Sequence, residues 1–143
     1  MKKETEKLLR ECTAGTKMGE RAISLTLSGM CEGELKSALE ESLTQHAIIG
    51  DEARKMLYSA HRREKEPNPI VLAMSDAKIK MRLAVNNSPT TVASLITDGC
   101  DMGTKSVARA INHNPSASDA SRQLAKRLIE AEDSLRQTLR KYL

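Results

Sequence analysis

Few residues of this chain are suited to chemistry: the carboxylates Glu11, Asp98 and Glu132, the imidazole of His46, and the thiols Cys12, Cys31 and Cys100. Carboxylates and imidazoles that converge at one level of a helical bundle can hold two metal ions. The usual spacing is a Glu-x-x-His on each of two helices and a single carboxylate from each of the others. Here that spacing is broken. Three residues after Glu41 stands Thr44, three after Glu130 stands Asp133, and three before His46 stands Leu43. If the first two helices turn near Cys31, Glu11 stands level with about Asp51, roughly 7 Å along the helix from His46, too far for one ion to hold both. No resident cofactor is expected; Glu11, His46, Asp98 and Glu132 are the residual ligand set should a metal ion bind. His46 by itself reads as a core histidine, satisfied by Ser42 one turn earlier or by a carboxylate from another helix. His61 and His113 fall near helix ends, where a cation favours the dipole.

The remaining chemistry is thinner. Three cysteines without a Cys-x-x-Cys pair fit buried thiols in a reducing compartment, although Cys12 and Cys100 occupy equivalent positions of a repeat and so form a conceivable redox pair. No nucleophile sits at a strand end or elbow. The run Gly99-Cys-Asp-Met-Gly103 lacks the preceding strand that a dinucleotide loop requires. No catalytic residues are assigned, and the balance is against an enzyme.

The elements that would position these groups are helices. The segment Cys12 to Ile23, with Gly15-Thr16-Lys17 inside it, returns 88 residues later as Cys100 to Ile111 with Gly103-Thr104-Lys105. Such a repeat predicts two similar helical hairpins about a pseudo-two-fold axis. Asn68-Pro69, Ser88-Pro89 and Asn114-Pro115 each join an N-cap residue to a proline fit for the first helical turn. Between these marks apolar and small residues recur at steps of three and four: Leu8, Cys12, Gly15, Gly19, Ala22; Leu35, Leu39, Ser42, His46, Ile49, Ala53; and Leu124, Leu128, Ala131, Leu135. The reading is long helices over 3–28, 32–62, 89–113 and 115–142. A crossover helix of about 69–85 joins the second to the third, its line Ile70, Met74, Ala77, Met81 and Ala84 turned to the bundle. Leu8, Gly15, Ala22, Leu39, Leu128 and Leu135 are expected in one core. Glycine inside a helix costs about 1 kcal/mol relative to alanine. Gly15, Gly19, Gly99 and Gly103 are therefore expected either to let the first and third long helices approach or to leave a central gap.

Two hairpins joined by a long crossover describe an all-α, antiparallel four-helix bundle of the ferritin-like kind, one domain over 1–143. The chain resembles an uncharacterised bacterial family of ferritin-like proteins. The resemblance is carried by Leu8 to Gly19 on the first helix, Gly33-Glu-Leu-Lys36 at the start of the second, and the late Gly99-x-x-x-Gly103. It implies the fold and leaves the activity open.

At 143 residues the chain can bury a core without staples. Its longest apolar run, Ile70 to Met74, is too short to span a bilayer, and the opening Met-Lys-Lys-Glu-Thr-Glu has no apolar signal region, so a cytoplasmic location and no membrane partner are expected. The net charge is +4 with both signs interleaved, and only Arg122, Lys126, Arg127, Arg136, Arg140 and Lys141 make a basic lean. With Tyr58 and Tyr142 as the whole aromatic complement, stacking platforms for single strands are missing, and nucleic acid is not the expected partner. Three function classes remain: a non-catalytic bundle acting by protein contact or as a homo-oligomer, a metal-binding protein or oxidoreductase with a degenerate di-metal site, and a basic nucleic-acid-associated protein.

Overall fold

The computed structural model describes residues 1–28, 30 and 32–143; the expected buried thiol of Cys31 lies outside these residues. Five α-helices make up most of the chain, with no strand among the described residues: α1 (Lys3–Leu27), α2 (Glu34–Ser59), α3 (Pro69–Val85), α4 (Pro89–His113) and α5 (Asp119–Leu139), closed by a 3-10 turn over Arg140–Tyr142. Two of the three proline-marked starts stand. The Asn68 side chain accepts the N–H groups of Ile70 and Val71, and the Ser88 hydroxyl accepts that of Thr91, each satisfying donors that the first turn leaves open.

The third mark moves. Asn114 caps the end of α4, its Nδ2 donating to the Ala110 carbonyl at 2.7 Å, and α5 starts four residues later behind Ser118, whose Oγ accepts from the Ser121 N–H. Asn and Ser both cap helices, and here the local bond to the preceding turn wins at Asn114. At the end of α2, His61 takes a left-handed conformation (φ 56°) while the Arg62 N–H bonds to the Leu57 carbonyl and the His61 N–H to that of Tyr58. This is the reversal that glycine usually makes after a helix.

α1 packs against α2 and α4, and α5 packs against α4 and α2, so these four helices share one interior. Their ends are tied. Glu4 at the start of α1 accepts the Ser116 N–H, Thr5 accepts that of Ser118, and Lys141 beyond α5 meets Glu34 at the start of α2 at 2.9 Å. The connection from α2 to α3 is laid along α1 by Thr13, whose Oγ1 accepts the Lys65 N–H at 3.1 Å.

α3 lies mainly against α1, with a lighter contact to α4. It presents the face opposite to the one its long apolar line predicts. Ile79 is buried, Leu72 and Leu83 are half-buried, and Asp76 on the same side chelates Arg21 of α1 at 2.9 and 3.1 Å. Ile70, Met74 and Met81 point to solvent, 71%, 68% and 65% exposed. A helix with apolar residues on two sides has two candidate faces, and the one taken buries Ile79 beside Leu72 and Leu83 and carries Asp76 to Arg21.

The interior also departs from the single core expected. Leu8 and Leu128 belong to one apolar cluster with Leu9, Cys12, Ile49, Leu57 and Val107, whereas Leu39 and Leu135 belong to a second with Ile23, Val92, Ile96 and Leu139, against which Ala22 packs. In chain order His46 falls between the α2 members of the two clusters and Glu132 between those of α5.

Candidate functional site

The polar residues that interrupt the core meet one another. His46 (α2) and Glu132 (α5), 1% and 7% exposed, face each other with Nε2···Oε1 at 2.8 Å. The other ring nitrogen, Nδ1, lies 2.7 Å from the Ser42 carbonyl and 3.4 Å from the Ser42 hydroxyl. A carbonyl only accepts, so Nδ1 carries a hydrogen and donates it. That assignment decides the rest. Nε2 and a bare carboxylate oxygen would be two acceptors in contact, so the gap between them holds one proton, as imidazolium with carboxylate or as imidazole with carboxylic acid. Burial pulls the His46 pKa down, but the hydrogen bond and charge of Glu132, the Ser42 carbonyl and the charge of Glu20 outweigh it and leave it above its ordinary 6.5.

Two helical glycines make room for the pair. A Cβ at Gly19 of α1 would stand 2.6 Å from His46 Cδ2 and 2.7 Å from Nε2, and one at Gly103 of α4 would stand 3.2 Å from Glu132 Oε1. The site is therefore built by four helices, two supplying side chains and two supplying their absence. The other glycines of the expected stripe do different work. A Cβ at Gly15 would make ordinary contact with Leu128 at 3.7 Å, and one at Gly99 would meet nothing within 4 Å. Gly99 thus has no part in helix approach, contrary to its place in the sequence pattern. A second close α1–α2 approach falls at Gly50, where a Cβ would stand 2.7 Å from Thr16 Oγ1.

Of the four residual ligands, His46 and Glu132 come together and the other two stay apart. Glu11 is paired with Lys65 at 2.5 Å on the outer side of α1, and Asp98 is exposed on α4. No group of three His, Cys, Asp or Glu residues arranged to hold a metal ion occurs among the described residues. Cys100 borders the pair; burial first, then the charge and hydrogen bonding of Glu132, push its thiol upward. Cys12 sits in the other apolar cluster with its pKa raised to about 12 by burial and by Glu11. Both thiols are free, held protonated and placed in different clusters, which separates the redox pair suggested by the repeat.

Sequence reasoning placed His46 on a core stripe and Glu132 between two core leucines. It missed Gly19 and Gly103 as their cradle, for which the available signal was an interior glycine with no turn to justify it. Half of the basic lean at the end of the chain is neutralised: Arg127 forks onto Glu52 at 2.6 and 3.0 Å, Arg136 bridges Asp101 and Asp133 at 2.8 Å each, and Lys141 pairs with Glu34. No known protein family, curated protein or solved structure matches the chain.

Proposed function

We propose that this chain is a ferritin-like antiparallel four-helix bundle that acts without catalysis, by pairing with a second copy of itself through the outward face of α3. The observation that carries the reading is the exposed row Ile70, Met74, Ala77, Met81 and Ala84, continued by Val85, which is 85% exposed. Its steps alternate four and three, the spacing of a helix–helix seam. A contiguous apolar row on an otherwise charged surface marks a contact surface. The bundle assignment is supported by the neighbour pattern of α1, α2, α4 and α5 and by the ion pair of Lys141 with Glu34, which sets α5 opposite in direction to α2.

Charge selects the pairing direction. With Met74 and Met81 at a positions, Lys78 occupies e and Lys80 g. Side by side and parallel, Lys80 of one copy lies along Val85 of the other and Lys78 along Ala73, so both lysines cover apolar carbon and reach water. In the antiparallel register that sets Met74 against Ala84 and Ala77 against Met81, Lys78 faces its own copy across the axis. Parallel pairing is the reading. The competing metal-dependent reading has two converging residues for support, His46 and Glu132, and the nucleic-acid reading has a basic helix on which Arg127 and Arg136 are already paired with carboxylates.

Sedimentation velocity tests this directly. A dimer that strengthens with concentration is expected, and Met74→Glu with Met81→Glu should abolish it while leaving helicity intact. In a Cys31→Ser background, Ile70→Cys and Ala84→Cys should each form self-disulfides on oxidation, as only parallel pairing allows. A parent chain that stays monomeric into the millimolar range overturns the proposal.

A further inference from the structure

α3 crosses α1 at Arg21, toward the C-terminal end of that helix, and leaves the groove between the first half of α1 and the last half of α4 open. The open groove holds about 610 Å³, within the range of small-ligand clefts. Its walls are basic on both sides: Lys7 and Arg10 from α1, Arg109 and His113 from α4, and Lys65 from the connection above. The small side chains of Ser106 and Ala110 lie between them.

Half of that fixed charge is unspent. Lys65 is engaged by Glu11, and Arg10 makes a long contact to Glu6 at 3.5 Å. Lys7, Arg109 and His113 have no ion pair or hydrogen bond among the described residues. Four fixed positive charges, those of Lys7, Arg10, Lys65 and Arg109, thus face one lining carboxylate, Glu11. At the α4 terminus, where the helix dipole disfavours an anion, the Asn114 amide takes the Ala110 carbonyl, and the basic side chains must outweigh the rest.

We infer that this groove binds a polyanion made of linked phosphate groups. Four fixed positive charges spread over two packed helices and the connection, against one carboxylate, exceed what a single phosphate neutralises, whereas a triphosphate carries charge enough to meet Arg109 on one wall and Arg10 or Lys7 on the other. Guanidinium groups present paired donors to phosphate oxygens, and ammonium groups add point charge. No phenylalanine, tyrosine or tryptophan lines the groove, so recognition rests on the phosphate chain, free or as the tail of a nucleotide. The site shares no residue with α3 and is independent of the pairing proposed above.

Isothermal titration with inorganic triphosphate, ATP and orthophosphate tests it on the full chain. Triphosphate is expected to bind with an affinity that falls as salt rises, and Lys7→Gln with Arg109→Gln should weaken it roughly tenfold or more. Their side chains are exposed, and an unchanged thermal melt shows that the variant remains folded. ATP matching triphosphate identifies the phosphate chain as the whole ligand; ATP binding more tightly identifies a nucleotide source, and either supports the site. Absence of binding, orthophosphate binding as tightly as triphosphate, an unaffected double variant, or a short oligonucleotide outcompeting triphosphate each overturns it.

Discussion

Gly19→Ala is the smallest change that tests the interior pair. The added carbon would stand 2.6 Å from His46 Cδ2, and ordinary contact begins at 3.4 Å, so the ring or α1 must yield by about 0.8 Å. The ring is held at both nitrogens, at 2.7 Å to the Ser42 carbonyl and 2.8 Å to Glu132. A shift of that size, directed away from α1, stretches at least one of these bonds toward the limit of hydrogen bonding. Breaking a buried ion pair costs about 3–5 kcal/mol, and alanine returns about 1 kcal/mol of helix propensity. The expected net destabilisation is therefore about 2–4 kcal/mol. Urea unfolding followed by circular dichroism measures it, with Gly99→Ala as the control: nothing stands within 4 Å of that position, so the same substitution should stabilise by up to about 1 kcal/mol. Combining Gly19→Ala with His46→Ala, which empties the contested space, should remove most of the cost of the former. A Gly19→Ala protein as stable as its parent would refute the cradle and with it the locked ring.

The same pair gives a pH signature. Because the folded pKa of His46 is raised, its contribution is complete below the unfolded value of about 6.5 and is lost as pH rises through the folded value, at up to about 1.4 kcal/mol per pH unit. Unfolding free energies of the parent and of His46→Leu with Glu132→Leu, compared from pH 5 upward, should shift in favour of the apolar variant above about pH 6.5; a constant difference would mean that no proton is held there. His61→Gly should stabilise by about 0.5–1 kcal/mol in the same assay, since it relieves the left-handed backbone at φ 56°; a loss of stability would show that the imidazole makes a contact outweighing the strain.

Helix boundaries were legible because proline and its capping partner act within a few residues, as at Asn68 and Ser88. The start of α5 was less so, since Asn114 caps in either direction and Ser118 competes for the next turn. The orientation of α3 was hidden for a related reason: its composition offers two apolar faces, and the contacts of the face taken include a bond from Asp76 to a residue 55 positions earlier. His46 announced itself as a polar residue on an apolar stripe, but its partner depends on how α5 slides along α2, a distance of 86 residues that no local pattern encodes. The glycines looked alike in the sequence. Their roles separate only when each missing Cβ is referred to what stands opposite.

The buried pair also bears on alignment. Leucine and alanine seams such as those joining α2 to α5 are nearly periodic, and sliding one helix past the other by a turn of 5.4 Å would bring leucines against leucines again at small loss. His46 and Glu132 remove that freedom. A slipped bundle would bury an imidazole and a carboxylate apart, each without its partner. The pair then serves as an index mark that leaves one register out of several, and replacing it with leucines should yield a bundle at least as stable yet less singular, with broadened side-chain resonances in the core.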